Sequence, residues 1–136
     1  MSYVQRYSDL EVYKQARSLS KEIFLRTRMF PVEERYSLTD QIRRSSRSIG
    51  AQIAEAWGKR RYEMYFISKL TDADAEQMET QHWLEISEEC GYLSTDDKNI
   101  LHAKCHSIGR MLHNMIDKSS LFCKPQKKPK DTNSSS

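Results

Sequence analysis

A chain of 136 residues suits one domain, with a core large enough to need no staples. At 30% charged residues, with only four glycines and three prolines, it calls for long helices and short loops, and its formal net charge of +3 leaves a basic surplus. No apolar run approaches the roughly 18 residues of a membrane span. Nothing reads as a secretory leader, and three cysteines without C-x-x-C spacing fit a reduced, cytoplasmic protein with no membrane partner.

Residues 1–7 read as a lead-in. Ser8-Asp9-Leu10-Glu11 has the capping-box pattern, in which the serine oxygen takes a backbone N–H and the glutamate returns the bond. It predicts a first helix over about 8–28. Val12, Ala16, Leu19 and Ile23 form its apolar seam, and Lys14, Arg17, Lys21 and Arg28 lie opposite. Leu10, Phe24 and Leu25 lie near that basic stripe, where one protomer's core does not explain them. Phe24 and Leu25 therefore suggest an oligomer interface.

The second helix is expected over about 32–57, entered at Pro31 and stopped at Gly58. Leu38, Ile42, Ile49 and Ile53 share its buried face, while Arg43 and Arg47 point the other way. Between them Ser45, Ser46, Ser48, Gly50, Ala51, Ala54 and Ala56 are all small, which lets a neighbouring backbone come close. Lys59-Arg60-Arg61 forms a basic linker.

A third helix follows over about 62–90, with one seam of Phe66, Leu70, Ala73, Gln77, Thr80 and Leu84. A second apolar stripe holds Tyr65, Trp83, Ile86 and Cys90, interleaved with Asp72, Glu76 and Glu79. Residues 62–90 carry eight acids and one lysine, a net −7, so the rest of the chain sums to +10. Such a segment suits internal pairing, with the surplus basic charge displayed elsewhere.

Gly91 ends this helix, and Ser94-Thr-Asp-Asp97 opens a fourth over about 95–118, with Leu101, Cys105, Ile108, Leu112 and Met115 as its seam. Residues 121–136, with Lys124, Lys127, Lys128 and Lys130, read as a disordered basic tail. The pattern is all-α: an antiparallel up-down-up-down four-helix bundle.

Several short pieces carry a family resemblance: Leu10-Glu-Val-Tyr-Lys-Gln-Ala16, Phe30-Pro31 with Glu34, Leu38-x-x-Gln41-Ile-Arg-Arg44, Ser48-Ile49, Ile53-Ala-Glu55, Glu79-Thr-Gln81-x-Trp83-Leu84 and Gly91-Tyr92-Leu93. In this order, from Asp9 to Ile116, the chain resembles the bacterial four-helix-bundle family first associated with intervening sequences of large-subunit ribosomal RNA, also called an S23 ribosomal protein family. Gln52 and Ala56 stand where that family commonly has Asn and Gly. The resemblance implies a cytoplasmic bundle assembling as a ring-like homopentamer, and a link to nucleic acid rather than catalysis. A related branch is the accessory variability determinant that works beside the reverse transcriptase of diversity-generating retroelements. The family motif also pairs Arg44 with Gln41 as structural polar residues.

Two basic constellations are candidates for phosphate contact: Arg43 and Arg47 with Lys59, Arg60 and Arg61, and the stripe Lys14, Arg17, Lys21 and Arg28. The competing reading of the first is a solvated face, or pairing with the acidic helix; that of the second is a solubilising face. Asp72, Glu76 and Glu79, with Tyr65 and Trp83, fit an oligomer interface or pairing within the protomer better than a catalytic cleft.

No Gly-rich phosphate loop or nucleophile motif is present, so no enzyme and no cofactor is expected. Glu79-x-x-His82 has di-iron spacing but lacks the second motif that such a site needs. His102, His106 and His113 share one face of the fourth helix, and two histidines without an acidic third ligand make a weak zinc site; no metal is expected. The partner expected is RNA or DNA, the alternative being an acidic protein such as a reverse transcriptase.

Overall fold

A computed structural model of the chain describes residues 4–123. Four helices carry the fold: α1 (Glu11–Thr27), α2 (Leu38–Gly58), α3 (Glu63–Glu89) and α4 (Thr95–Asp117). Three short 3-10 turns, Tyr7–Asp9, Val32–Glu34 and Ser119–Leu121, stand at their ends, and no strand occurs among the described residues. No described helix is long and apolar enough to cross a membrane.

The seams read from the sequence meet in one core. Leu19 and Ile23 of α1, Ile42, Ile49 and Ile53 of α2, Phe66, Leu70 and Leu84 of α3, and Leu101, Ile108 and Leu112 of α4 are all buried. Each such side chain contributes about 1.5–3 kcal/mol, so apolar burial supplies most of the stability. The α2–α3 contact is the most extensive. Ser45, Ser46 and Gly50 are buried there and toward α1, as their size suggests. The Thr80 hydroxyl donates to Ser45 Oγ at 2.9 Å, and Ser45 reaches the Ile42 carbonyl at 3.3 Å, so this polar pair is satisfied inside the core.

Three boundaries differ from the sequence reading. Ser8 lies in a 3-10 turn, and α1 begins only at Glu11, after Leu10 in an extended conformation and without a side-chain cap. Burial of Leu10 decides this: off the helix, it reaches a core that the basic side of α1 does not face. The second helix starts at Leu38 rather than near 32. Pro31 is extended, and Ser37 breaks the helical path with φ −123° and ψ −103°. Phe30 is buried against Tyr92, ring centroids 5.3 Å apart, and Glu34 accepts hydrogen bonds from Ser37 at 2.7 Å and Tyr92 at 2.9 Å. These contacts tie the α1–α2 connection to the α3–α4 turn.

Order also runs past 120. Ser119 is buried, its hydroxyl donating to the Glu63 carboxylate, and Phe122 stacks on Phe66 at 5.9 Å. The tail that the sequence reading began at 121 therefore does not include Leu121–Cys123, and its lysines at 124–130 lie outside the described residues.

Two ends form as their sequences dictate. Ser94 Oγ accepts the Asp97 N–H at 3.0 Å. Gly91, at φ +78°, closes α3 while its N–H bonds the Glu88 carbonyl and that of Tyr92 bonds the Ser87 carbonyl, both at 2.9 Å.

The Tyr92 phenol donates to Glu34, and this raises its pKa from 10.0 to about 12. The folded chain therefore holds this proton to higher pH than the unfolded one. The contribution is complete below pH 10 and disappears as pH rises through about 12. In an alkaline absorbance titration, one of the seven tyrosines should ionise late, and Tyr92→Phe should remove that step.

Candidate nucleic-acid interface

The α1–α2 side carries the basic face. Phe24 projects from α1, half-buried, and three guanidinium groups gather around its ring: Arg43 at 4.8 Å, Arg47 at 5.5 Å and Arg28 at 6.0 Å from the centroid. Phe24, expected at an oligomer interface, thus serves as a platform for arginines, each cation–π contact worth about 0.5–1 kcal/mol. Arg43, expected to face outward, is half-buried, and its Nε donates to Thr27 Oγ1 at 2.8 Å. Burial, then the nearby Arg47 and Arg28, push its pKa below the usual arginine value.

Two grooves flank this cluster and share Arg47. A groove of about 360 Å³ runs along α1 past Arg17, Lys21 and Phe24. One of about 590 Å³ runs along α2, past Tyr36, Thr39, Asp40, Arg43 and Arg47. Lys14 is exposed on α1, and Arg17 is steadied by the Tyr13 hydroxyl at 2.9 Å.

Lys59, Arg60 and Arg61 stand apart, about 24 Å along the α2 axis from Arg43 by helical rise. Arg60 folds over Trp57 at 3.6 Å, and its Nε donates to the Trp57 carbonyl at 2.8 Å, satisfying the end of α2. Lys59 lies over Tyr65 at 5.6 Å and Arg61 over Tyr62 at 6.0 Å.

The acidic stripe of α3 is engaged within the protomer. Arg44 Nη2 donates to Glu79 at 2.7 Å, and the same oxygen accepts Trp83 Nε1 at 3.0 Å. Arg44 thus pairs with Glu79, and no side-chain bond joins Gln41 to it among the described residues. Ser48 donates to Glu76 at 3.1 Å, and Lys69 bridges Glu55 at 3.1 Å and Asp72 at 3.8 Å. Of the other residues assigned to an oligomer interface, Leu25 and Tyr65 are exposed, while Trp83 packs on the core.

The consequence is a division of charge. Among the described residues, Lys14, Arg17, Lys21, Arg28, Arg43, Arg47, Lys59, Arg60 and Arg61 form no ion pair, whereas Arg26, Arg44, Lys69, Lys98 and Lys104 do. Arg35 and Tyr36 also line the α2 groove and were not singled out from the sequence, because a helix continuous from 32 hides the turn that presents them.

The histidines do not converge. His102 lies 3.2 Å from Glu85 and edge-on to His106 at 5.2 Å; burial lowers its pKa. Cys105 is buried, which pushes its thiol up to about 12 and makes it a poor ligand. No group of three or more potential metal ligands occurs among the described residues.

His113 instead lies 2.9 Å from the buried Asp74, whose other oxygen accepts Gln77 at 2.9 Å; Gln81 donates to Gln77 at 2.6 Å. Gly109 stands opposite this chain, where a Cβ would lie 2.9 Å from Gln77 Nε2 and would push the Gln77 amide aside. Single-sequence spacing did not reveal the cluster, because Asp74 and His113 are joined only by the register of α3 on α4.

The described residues form an all-helical bundle of four helices. The chain belongs to the 23S rRNA-intervening sequence protein family, whose model matches residues 8–114. Among solved structures it is similar to a protein of unknown function from the S23 ribosomal protein family of Bacteroides thetaiotaomicron. The two are 27% identical, with a TM-score of 0.70 over 77% of this chain and 97% of that one. No curated protein matches.

Asp74→Ala should lower urea-unfolding stability by about 1–3 kcal/mol, because Gln77 and His113 lose their buried acceptor. Asp74→Asn, which keeps one acceptor oxygen, should cost less.

Proposed function

We propose that this protein is a non-enzymatic, cytoplasmic nucleic-acid-associated protein that contacts phosphates of RNA or DNA through its α1–α2 face. The observation that carries the reading is the set of basic side chains left without carboxylate partners while the acids of α3 pair elsewhere. Arg43, Arg47 and Arg28 around Phe24, continued by Arg17 and Lys21, form one positive surface. Guanidinium groups suit phosphate because their planar fork donates two parallel bonds. The family name agrees with a nucleic-acid context.

The helices run antiparallel, up-down-up-down, in this reading. The paired positions support it: 44 with 79, 48 with 76 and 55 with 69 on α2–α3, and 22 with 104 and 26 with 97 on α1–α4. The bundle assembles as a ring-like homopentamer, following the family resemblance, and exposed Tyr65 and Met64 at one end of α3 offer apolar surface for it. Such a ring would repeat a modest basic face and multiply its affinity. Light scattering tests the assembly; a monomer overturns it.

A second reading, an accessory subunit for an acidic protein partner such as a reverse transcriptase, is favoured by Leu25, Met29 and Val32, exposed beside the basic face. Capture that survives nuclease treatment supports it over direct nucleic-acid contact.

Arg43→Glu with Arg47→Glu should weaken binding to structured RNA or duplex DNA by at least tenfold and flatten its salt dependence. Arg61→Glu, at the far end of α2, should have the smaller effect. A fluorescence-anisotropy titration that shows no binding by the unaltered protein even at low salt sinks the reading.

A further inference from the structure

We infer that the groove beside α2 takes an unpaired nucleotide, so that the protein prefers single-stranded nucleic acid to duplex. This rests on the phosphate-contact reading above and adds what that reading does not need: groups that meet a base.

The first is Tyr36, 84% exposed, with the Arg35 guanidinium 5.8 Å from its ring centroid. A solvent-facing ring at the mouth of an arginine-lined groove is a stacking platform, and every base has a face to offer it. The break at Ser37 places the ring there, since it turns Tyr36 out of the helical path before α2 begins.

The second is Thr39. The residue is only 6% exposed, and its hydroxyl oxygen is buried without a hydrogen-bond partner. Thr27 and Thr71 in these helices bond back to the carbonyls four residues earlier, of Ile23 and Ile67, at 2.8 Å each. Thr39 has no such carbonyl, because Arg35 precedes the helix. Thr39 lines the groove, so the break that presents Tyr36 also leaves an unmatched hydroxyl beneath the groove wall. A buried unmatched hydroxyl is costly, and rotation of the Thr39 side chain toward the groove lets a ligand's polar edge satisfy it.

The third is the order of charge along the groove. Asp40 stands at the Tyr36 end, and Arg43 and Arg47 follow toward the other. The carboxylate repels phosphate and accepts from a base N–H, whether the exocyclic amine of cytosine or the ring N3–H of uracil. A base on Tyr36 with its phosphate on Arg43 and Arg47 obeys this polarity. From Asp40 to Arg47 the helix rises about 10 Å, and a groove of about 590 Å³ holds a ligand of nucleotide size. Arg47 also lines the smaller groove with Arg17 and Lys21, which gives the next phosphate of the strand a path along α1. A duplex keeps its bases stacked on one another and offers Tyr36 nothing.

The test uses the full chain, fluorescence anisotropy, and two RNA probes with equal numbers of phosphates: an unstructured oligouridylate and a blunt duplex. The expected result is tighter binding of the oligouridylate. Tyr36→Ala should weaken that binding roughly fivefold to a hundredfold, Tyr36→Phe should preserve it, and neither should change duplex binding. Thr39→Val removes the unmatched hydroxyl at constant shape; it should weaken oligouridylate binding severalfold without lowering Tm. If Arg43→Glu with Arg47→Glu abolishes binding of both probes while Tyr36→Ala and Thr39→Val alter neither, the nucleotide groove is overturned and the phosphate reading stands. Equal losses on both probes from Tyr36→Ala overturn it as well. If the unaltered protein binds neither probe at low salt, both readings fall.

Discussion

The register of α2 against α3 is the constraint on which the rest of the molecule depends. It is set by Arg44 on Glu79, Ser48 on Glu76 and Glu55 on Lys69 around the buried Ser45–Thr80 hydroxyl pair. None of the exposed pairs is worth more than about 1 kcal/mol. The apolar seams of the two helices contribute several times that, but they tolerate sliding better than hydroxyls and charges do. Packing therefore holds the helices together, and the polar contacts choose where along each other they sit. Small side chains on α2 let the choice be made at close range, with Ser45 and Ser46 fully buried.

That register also settles the electrostatics. It spends the acids of α3 on Arg44, Ser48 and Lys69, which lie on the α3 side of α2 or on α3 itself. Arg43 and Arg47 lie on the other side, toward α1, where Phe24 and Thr27 receive them. Arg43 and Arg44 are adjacent in sequence yet belong to different neighbourhoods, because successive residues on a helix point about 100° apart. Their basic surplus is thus a consequence of helix geometry as much as of composition.

The break at Ser37 is the other decision with functional weight. Continuing α2 back to Val32 would place Glu34 on a solvent-facing turn and leave Phe30 and Tyr92 without each other. Burial of Phe30, together with the Glu34 bonds to Ser37 and Tyr92, outweighs the few residues of helix that are lost. The same break exposes Tyr36 and strands the Thr39 hydroxyl. A local deviation from regular structure, stabilised by contacts on one side, shapes a groove on the other.

The sequence by itself determined the four helices, their buried faces and the Ser94 and Gly91 ends, because periodicity and capping are local properties that tertiary contacts here reinforce. It also marked Arg43, Arg47 and the α1 stripe as basic residues to watch, and Arg44 as structural. Only the tertiary structure decided that Leu10 leaves its helix for the core, that α2 starts at Leu38, that Phe122 returns to Phe66, and that Asp74 meets His113. It alone brought Phe24, Arg28, Arg43 and Arg47 together, and separated Lys59–Arg61 from them. Each of these depends on residues distant in sequence competing for the same buried space or the same charge. No single stretch of chain contains both competitors.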